Sequence, residues 1–135
     1  MKMDITMTYS FDGWDEKAIH EAEGELKMAR AEVKKSYTGG FEGKGMLEYT
    51  MVYLKEGKAS YTGLERMVGS IGDKQGSFVV RDIGIYEDAK AVGRFEILAE
   101  SGTGDFVGIR GQGEYGLGES GGEYKITWKV AFVNS

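Results

Sequence analysis

Two carboxylates stand where apolar side chains are expected. In KASYTGLERMVGS (58–70), Ala59, Tyr61, Gly63, Glu65 and Met67 share one apolar face, and Glu65 is its odd member. In SFVVRDIGIY (77–86), Phe78, Val80, Asp82, Gly84 and Tyr86 share another, and Asp82 is the odd member there. A carboxylate on an inward face must be ion-paired, hydrogen-bonded or protonated. A pKa raised by burial is what a general acid or base working near neutral pH needs. Pairing of Glu65 with an arginine such as Arg81 or Arg110 would instead be structural. Glu65 and Asp82 are therefore candidate catalytic groups, with the structural reading open beside them.

Apolar and aromatic residues surround both. MLEYTMVYL (46–54) puts Leu47, Tyr49, Met51 and Tyr53 on one face and Glu48 on the other, while RFEIL adds Phe95. Tyr49, Met51, Tyr53, Tyr61, Met67, Phe78 and Phe95, with Glu65 and Asp82, form a candidate ligand-binding set. Mostly apolar walls with a few convergent polar groups are the usual make-up of a small-molecule site. The competing reading is a plain aromatic core.

Other chemistries find no residues. The chain has no cysteine, which excludes disulfides, thiolate nucleophiles and thiolate-bound metals. His20 is the single histidine, in the charged run DEKAIHEAEGE, and does not suit a Ser-His-Asp triad. No metal-ligand motif and no cofactor motif is present; the expectation is no metal and no cofactor. GQGEYG (111–116) matches G-x-G-x-x-G, but the strand-like EYKITWKV follows, where pyrophosphate binding needs a helix.

The dominant period along the chain is two. Met3, Ile5, Met7, Tyr9 and Phe11 alternate with polar residues, as do Tyr124, Ile126, Trp128, Val130 and Phe132. Similar runs lie between them, separated by short turns such as IGDKQG and DAK. Residues 15–35 are in conflict, rich in helix formers yet alternating over Ala29, Ala31 and Val33. They are read as a short helical turn near 15–24 and a strand over about 25–38. The count reaches eight strands in one domain of 135 residues. The expected fold is all-β, an eight-stranded antiparallel closed β-barrel, whose interior holds its own side chains or one small ligand.

The stretch SGTGDFVGIRGQGEYGLGESGGEY (101–124) holds nine glycines. Strand glycines mark bulges, barrel corners and close backbone approaches. Gly102, Thr103, Gly104, Phe106 and Gly111 follow a pattern that resembles the glycine-rich strand pair of allene oxide cyclase and dirigent barrels. SYTGGFEGKGMLEYTMVY, SYTGLERMVGSIGDKQGSFVV and ESGTGDFVGIRGQGEY resemble more closely an uncharacterised bacterial family with that barrel, in which a histidine often stands where Asp82 stands here. The resemblance implies a lumen site and, more distantly, an isomerase or cyclase.

The net charge of −5 argues against nucleic acid or an anionic membrane as partner. No apolar run reaches the length of a signal peptide or a membrane span, so a cytoplasmic location is the expectation. Met46, Val52 and Leu54 share one outer face, as do Val79, Ile83 and Ile85, so a homo-oligomer, with a dimer favoured, is expected. Three readings stay open: a binder of a small hydrophobic or aromatic molecule, an isomerase, and a structural protein with a filled lumen.

Overall fold

The computed structural model describes residues 2–118 and 124–133. The chain is all-β. The described residues form nine strands: β1 (Lys2–His20), β2 (Lys27–Gly39), β3 (Glu42–Lys55), β4 (Lys58–Ile71), β5 (Lys74–Glu87), β6 (Lys90–Ile97), the two-residue β7 (Thr103–Gly104), β8 (Ile109–Gly118) and β9 (Tyr124–Phe132). Each long strand pairs antiparallel with its neighbours. β1 pairs with both β2 and β9, and β4 pairs with both β3 and β5, so eight strands close into a ring. β7 adds a short rung to β5. The ring is the barrel that the alternation implies, and among the described residues its shortest seam between long strands is that of β8 and β9, from Ile109↔Phe132 to Gln112↔Lys129.

The period of two decides which side chains enter. Along β2, Ala29, Ala31, Val33, Lys35 and Tyr37 are buried while the residues between them are not. Along β4, Ala59, Tyr61, Glu65 and Met67 are buried, and along β5 Phe78, Val80 and Asp82.

The helical turn expected near 15–24 is not formed. β1 continues as strand to His20 and pairs with β2 through Trp14↔Val33, Glu16↔Ala31 and Ala18↔Ala29. The ladder to β2 overrides the helix propensity of DEKAIHEA. Bulges between Phe11 and Gly13 and between Ala18 and His20 absorb the mismatch and bend the strand. The turn itself lies at 21–26.

The two ends of the barrel differ. At one end the chain closes the lumen with aromatic plugs. Phe41, in the β2–β3 turn, and Phe106, between β7 and β8, are fully buried against Phe78, at ring separations of 5.7 and 5.3 Å. Met67, Phe95, Ile109 and Trp128 complete this core. At the other end lie the β1–β2, β3–β4 and β5–β6 turns. The last is a two-residue turn in which Asp88 (φ 53°) and Ala89 (φ 63°) both adopt the left-handed conformation. Asn-Gly is the usual choice there, so this turn carries backbone strain. The β8–β9 connection, 119–123, lies outside the described residues.

The glycine-rich stretch is not a phosphate loop. Gly104 (φ 59°) and Gly108 (φ 87°) take turn conformations that bring the chain back beneath the barrel, and GQGEYG lies within β8. Glycines in the wall act by close approach. A Cβ on Gly84 would strike the Tyr61 hydroxyl, one on Gly63 would come within 2.8 Å of the Tyr49 ring, and one on Gly93 within 2.7 Å of the Tyr115 hydroxyl. Large side chains thus lie across the glycine of an adjoining strand.

Candidate functional site

The open half of the lumen is a cavity of about 560 Å³. That size is typical of small-molecule sites, which run from about 300 to 1,000 Å³. Its walls are aromatic: Tyr49 and Tyr53 from β3, Tyr61 from β4, Tyr115 from β8, and Tyr9 and Trp14 from β1. Met51, Ala59 and Ala91 fill gaps between the rings, and Glu16, Asp88 and Lys90 supply charge at the rim. A larger groove of about 1150 Å³ runs over the outer face of β2–β5, lined by groups such as Glu32, Glu48, Arg66 and Arg81. It is the concavity of a twisted sheet carrying surface ion pairs, and none of the inward tyrosines reaches it.

Asp82 lies behind the cavity floor. Its Oδ1 accepts a hydrogen bond from the Tyr115 hydroxyl at 2.6 Å, and its Oδ2 one from the Tyr49 hydroxyl at 3.1 Å. The Tyr61 and Tyr115 hydroxyls lie 2.6 Å apart. Each tyrosine has one hydroxyl proton. Tyr115 gives its proton to Asp82, so Tyr61 donates to Tyr115. Burial pushes the Asp82 carboxyl above its usual range, while the bonds from Tyr115 and Tyr49 and the charge of Lys35 oppose that shift.

The folded state therefore holds the Asp82 proton more tightly than the unfolded state does. The associated stability is fully present below the unfolded value of 3.8 and is lost as pH rises through the folded value. Asp82→Asn removes that loss. The stability of the variant relative to the parent should rise as pH climbs from about 4 and level off once Asp82 is ionised in the folded parent. Urea unfolding at a series of pH values measures this, and a difference flat with pH contradicts it.

The tyrosines stay protonated. Burial pushes Tyr61 and Tyr53 up to about 12 and raises Tyr9, Tyr37, Tyr49 and Tyr115 as well, with nearby carboxylates adding to it.

Glu65 forms a second group, deeper than the cavity. Its Oε2 accepts from the Tyr37 hydroxyl, and its Oε1 lies 3.4 Å from Lys35 Nζ. Both side chains of this pair are about 5% exposed. Lys35 also stands over the rings of Tyr9 and Phe11, 4.3 and 5.6 Å from their centroids. The cation that answers Glu65 is thus a lysine and not an arginine. Arg81 pairs with Glu96 on the outer face, and Arg110 donates to the carbonyl of Ile109. The tyrosine bond and the lysine account for both oxygens of Glu65.

The candidates from sequence are therefore divided. Tyr49, Met51, Tyr53 and Tyr61 line the cavity. Asp82 is linked to it through hydroxyls, and Glu65 sits in a closed ion pair. Met67, Phe78 and Phe95 do not line it; they belong to the packed half, where Phe95 stacks under Tyr115 at 6.2 Å. Lys35, Tyr115 and Glu16 escaped the sequence reading. Lys35 shares the β2 alternation with Val33 and Tyr37, a signal that was available.

The family described as "Protein of unknown function (DUF3224)" matches residues 5–128. Among solved structures, the crystal structure of a protein with unknown function from the DUF3224 family of Shewanella oneidensis MR-1 is similar. The two share 21% identity over 99% of this chain and 100% of that one, with a TM-score of 0.79. That likeness concerns the fold. No curated protein matches the chain.

Proposed function

We propose a function from the site, because the chain belongs to the DUF3224 family, a family of unknown function. The open half of the barrel binds one small, mostly apolar molecule. The observation that carries this is the asymmetry of the lumen: aromatic plugs fill one end, while the other leaves a 560 Å³ cavity walled by tyrosines. Native mass spectrometry of protein purified from its own host should reveal a retained small molecule. Ala91 lines the cavity, and Ala91→Trp should fill it and abolish retention while the protein stays folded. Equal retention by the variant, or none by the parent, would sink the reading.

An isomerase has one observation behind it: a carboxyl held above its usual range and joined to the cavity by two hydroxyls. Such a relay could move a proton on a bound molecule, with Asp82 as acid or base. Conversion of the retained molecule to an isomer, lost in Asp82→Asn, distinguishes catalysis from binding.

A second copy of the chain packs against the outer face of β5 and β6. Ile83, Ile85 and Val92 are exposed there, with Ile85 and Val92 directly paired. Sedimentation should give twice 14.8 kDa at micromolar concentration, and a mass of 14.8 kDa would refute it. Among the described residues no helix is long and apolar enough to cross a membrane. The lack of cysteine suits the reducing cytoplasm, where we place the protein.

A further inference from the structure

We infer that the cavity selects an organic cation, an apolar body carrying a protonated amine. This rests on the cavity being a binding site and adds the chemistry of what enters. The first support is an accounting of protons. With Asp82 ionised, Tyr49 and Tyr115 both donate to it, and Tyr61 donates to Tyr115. Tyr53 donates to Glu16 at 2.5 Å, as does the Trp14 indole at 3.1 Å. Four tyrosine hydroxyls that line the cavity have thus committed their protons to protein acceptors. What they offer a ligand is lone pairs. A molecule that brings acceptors finds no proton from these four, whereas one that brings N–H donors finds several partners.

The second support is charge. Glu16 and Asp88 stand at the rim and Asp82 behind the floor, and among the described residues that line the cavity Lys90, also at the rim, is the one cation. Lys35 is already engaged by Glu65. Among the described residues, neither Glu16 nor Asp82 has a cationic side chain within 4.0 Å.

The third is an internal precedent. Tyr9 is a cavity wall, and the ammonium of Lys35 already rests 4.3 Å from its ring centroid. Aromatic faces attract cations through their negative quadrupole, and cages of such rings recognise amines. Trp14, Tyr61 and Tyr115 are further aromatic groups of the same wall and offer a guest the same chemistry.

Three probes that share one naphthyl body and differ in head group test this: 2-(1-naphthyl)ethylamine, 2-(1-naphthyl)ethanol and 1-naphthylacetate, each titrated calorimetrically at neutral pH. The amine should bind about tenfold or more tighter than the alcohol, and the acetate weakest. Glu16→Gln should shrink the advantage of the amine to about threefold or less without weakening the alcohol. If alcohol and amine bind alike, or the acetate binds best, the cation inference is overturned and the cavity reading stands. If none of the three binds and Ala91→Trp changes nothing, both fall together.

Discussion

Lys35→Met should lower the unfolding free energy by about 3–5 kcal/mol, the usual cost of removing one partner from a buried ion pair. The size follows from what is left behind. Among the described residues, Glu65 would keep the Tyr37 hydroxyl and lose the one cation paired with it, in a site about 5% exposed. Replacing the whole group behaves differently. Lys35→Met, Tyr37→Phe and Glu65→Leu together strand no charge and no hydroxyl, so the triple variant should recover most of the loss. Urea midpoints of the two variants decide the matter. A single variant within about 1 kcal/mol of the parent would mean that Glu65 is hydrated or neutral and not held by Lys35.

Phe106→Ala should cost a similar amount, about 3–5 kcal/mol, by a different route. The ring is fully buried and meets Phe78 edge-on at 5.3 Å. Its own backbone fixes the loop: Phe106 N donates to Thr103 O, and Ile109 N donates to Phe106 O. A Cβ on Gly102 would collide with the Phe106 carbonyl, so the glycine is part of the same device. Truncation leaves a cavity that a loop held from both sides is poorly placed to refill. Phe106→Leu keeps most of the volume and should cost about 1–2 kcal/mol. Thermal unfolding separates these outcomes, and a small loss for Phe106→Ala would mean the closed end of the barrel is already loose.

Much of this was legible in the alternation. The inward faces of β4 and β5, with Glu65 and Asp82 as their polar members, follow from a period of two and need no tertiary information. What alternation cannot supply is register between strands. Glu65 and Lys35 are 30 residues apart, and only the ladder of β2, β3 and β4 brings them together. An arginine on β5 was the nearer guess in sequence, but Arg81 points outward by the same alternation that sends Asp82 in. Residues 15–20 failed for another reason: local preference favours helix there, and pairing with β2 prevails. The division of the lumen into a packed end and an open end depends on where Phe41 and Phe106 fold over, which no periodicity encodes.

The tyrosines that lie across glycines have a consequence for how this pocket can change over generations. Tyr61 occupies the space that a methyl on Gly84 would take, and Tyr49 and Tyr115 stand likewise to Gly63 and Gly93. Enlarging a glycine also meets the backbone of a neighbouring strand: a Cβ would come within 2.7 Å of the Val92 carbonyl at Gly84, 2.6 Å of that of Glu48 at Gly63 and 2.5 Å of that of Ile83 at Gly93. Shortening a tyrosine therefore does not free its glycine to grow; it only opens a hole over bare backbone. In these tyrosine–glycine couples the glycine is fixed by the wall itself, and the ring that covers it has no substitute from that side. A lineage would shift its ligand more readily at Met51, Ala59 or Ala91, which line the same space and belong to none of these couples.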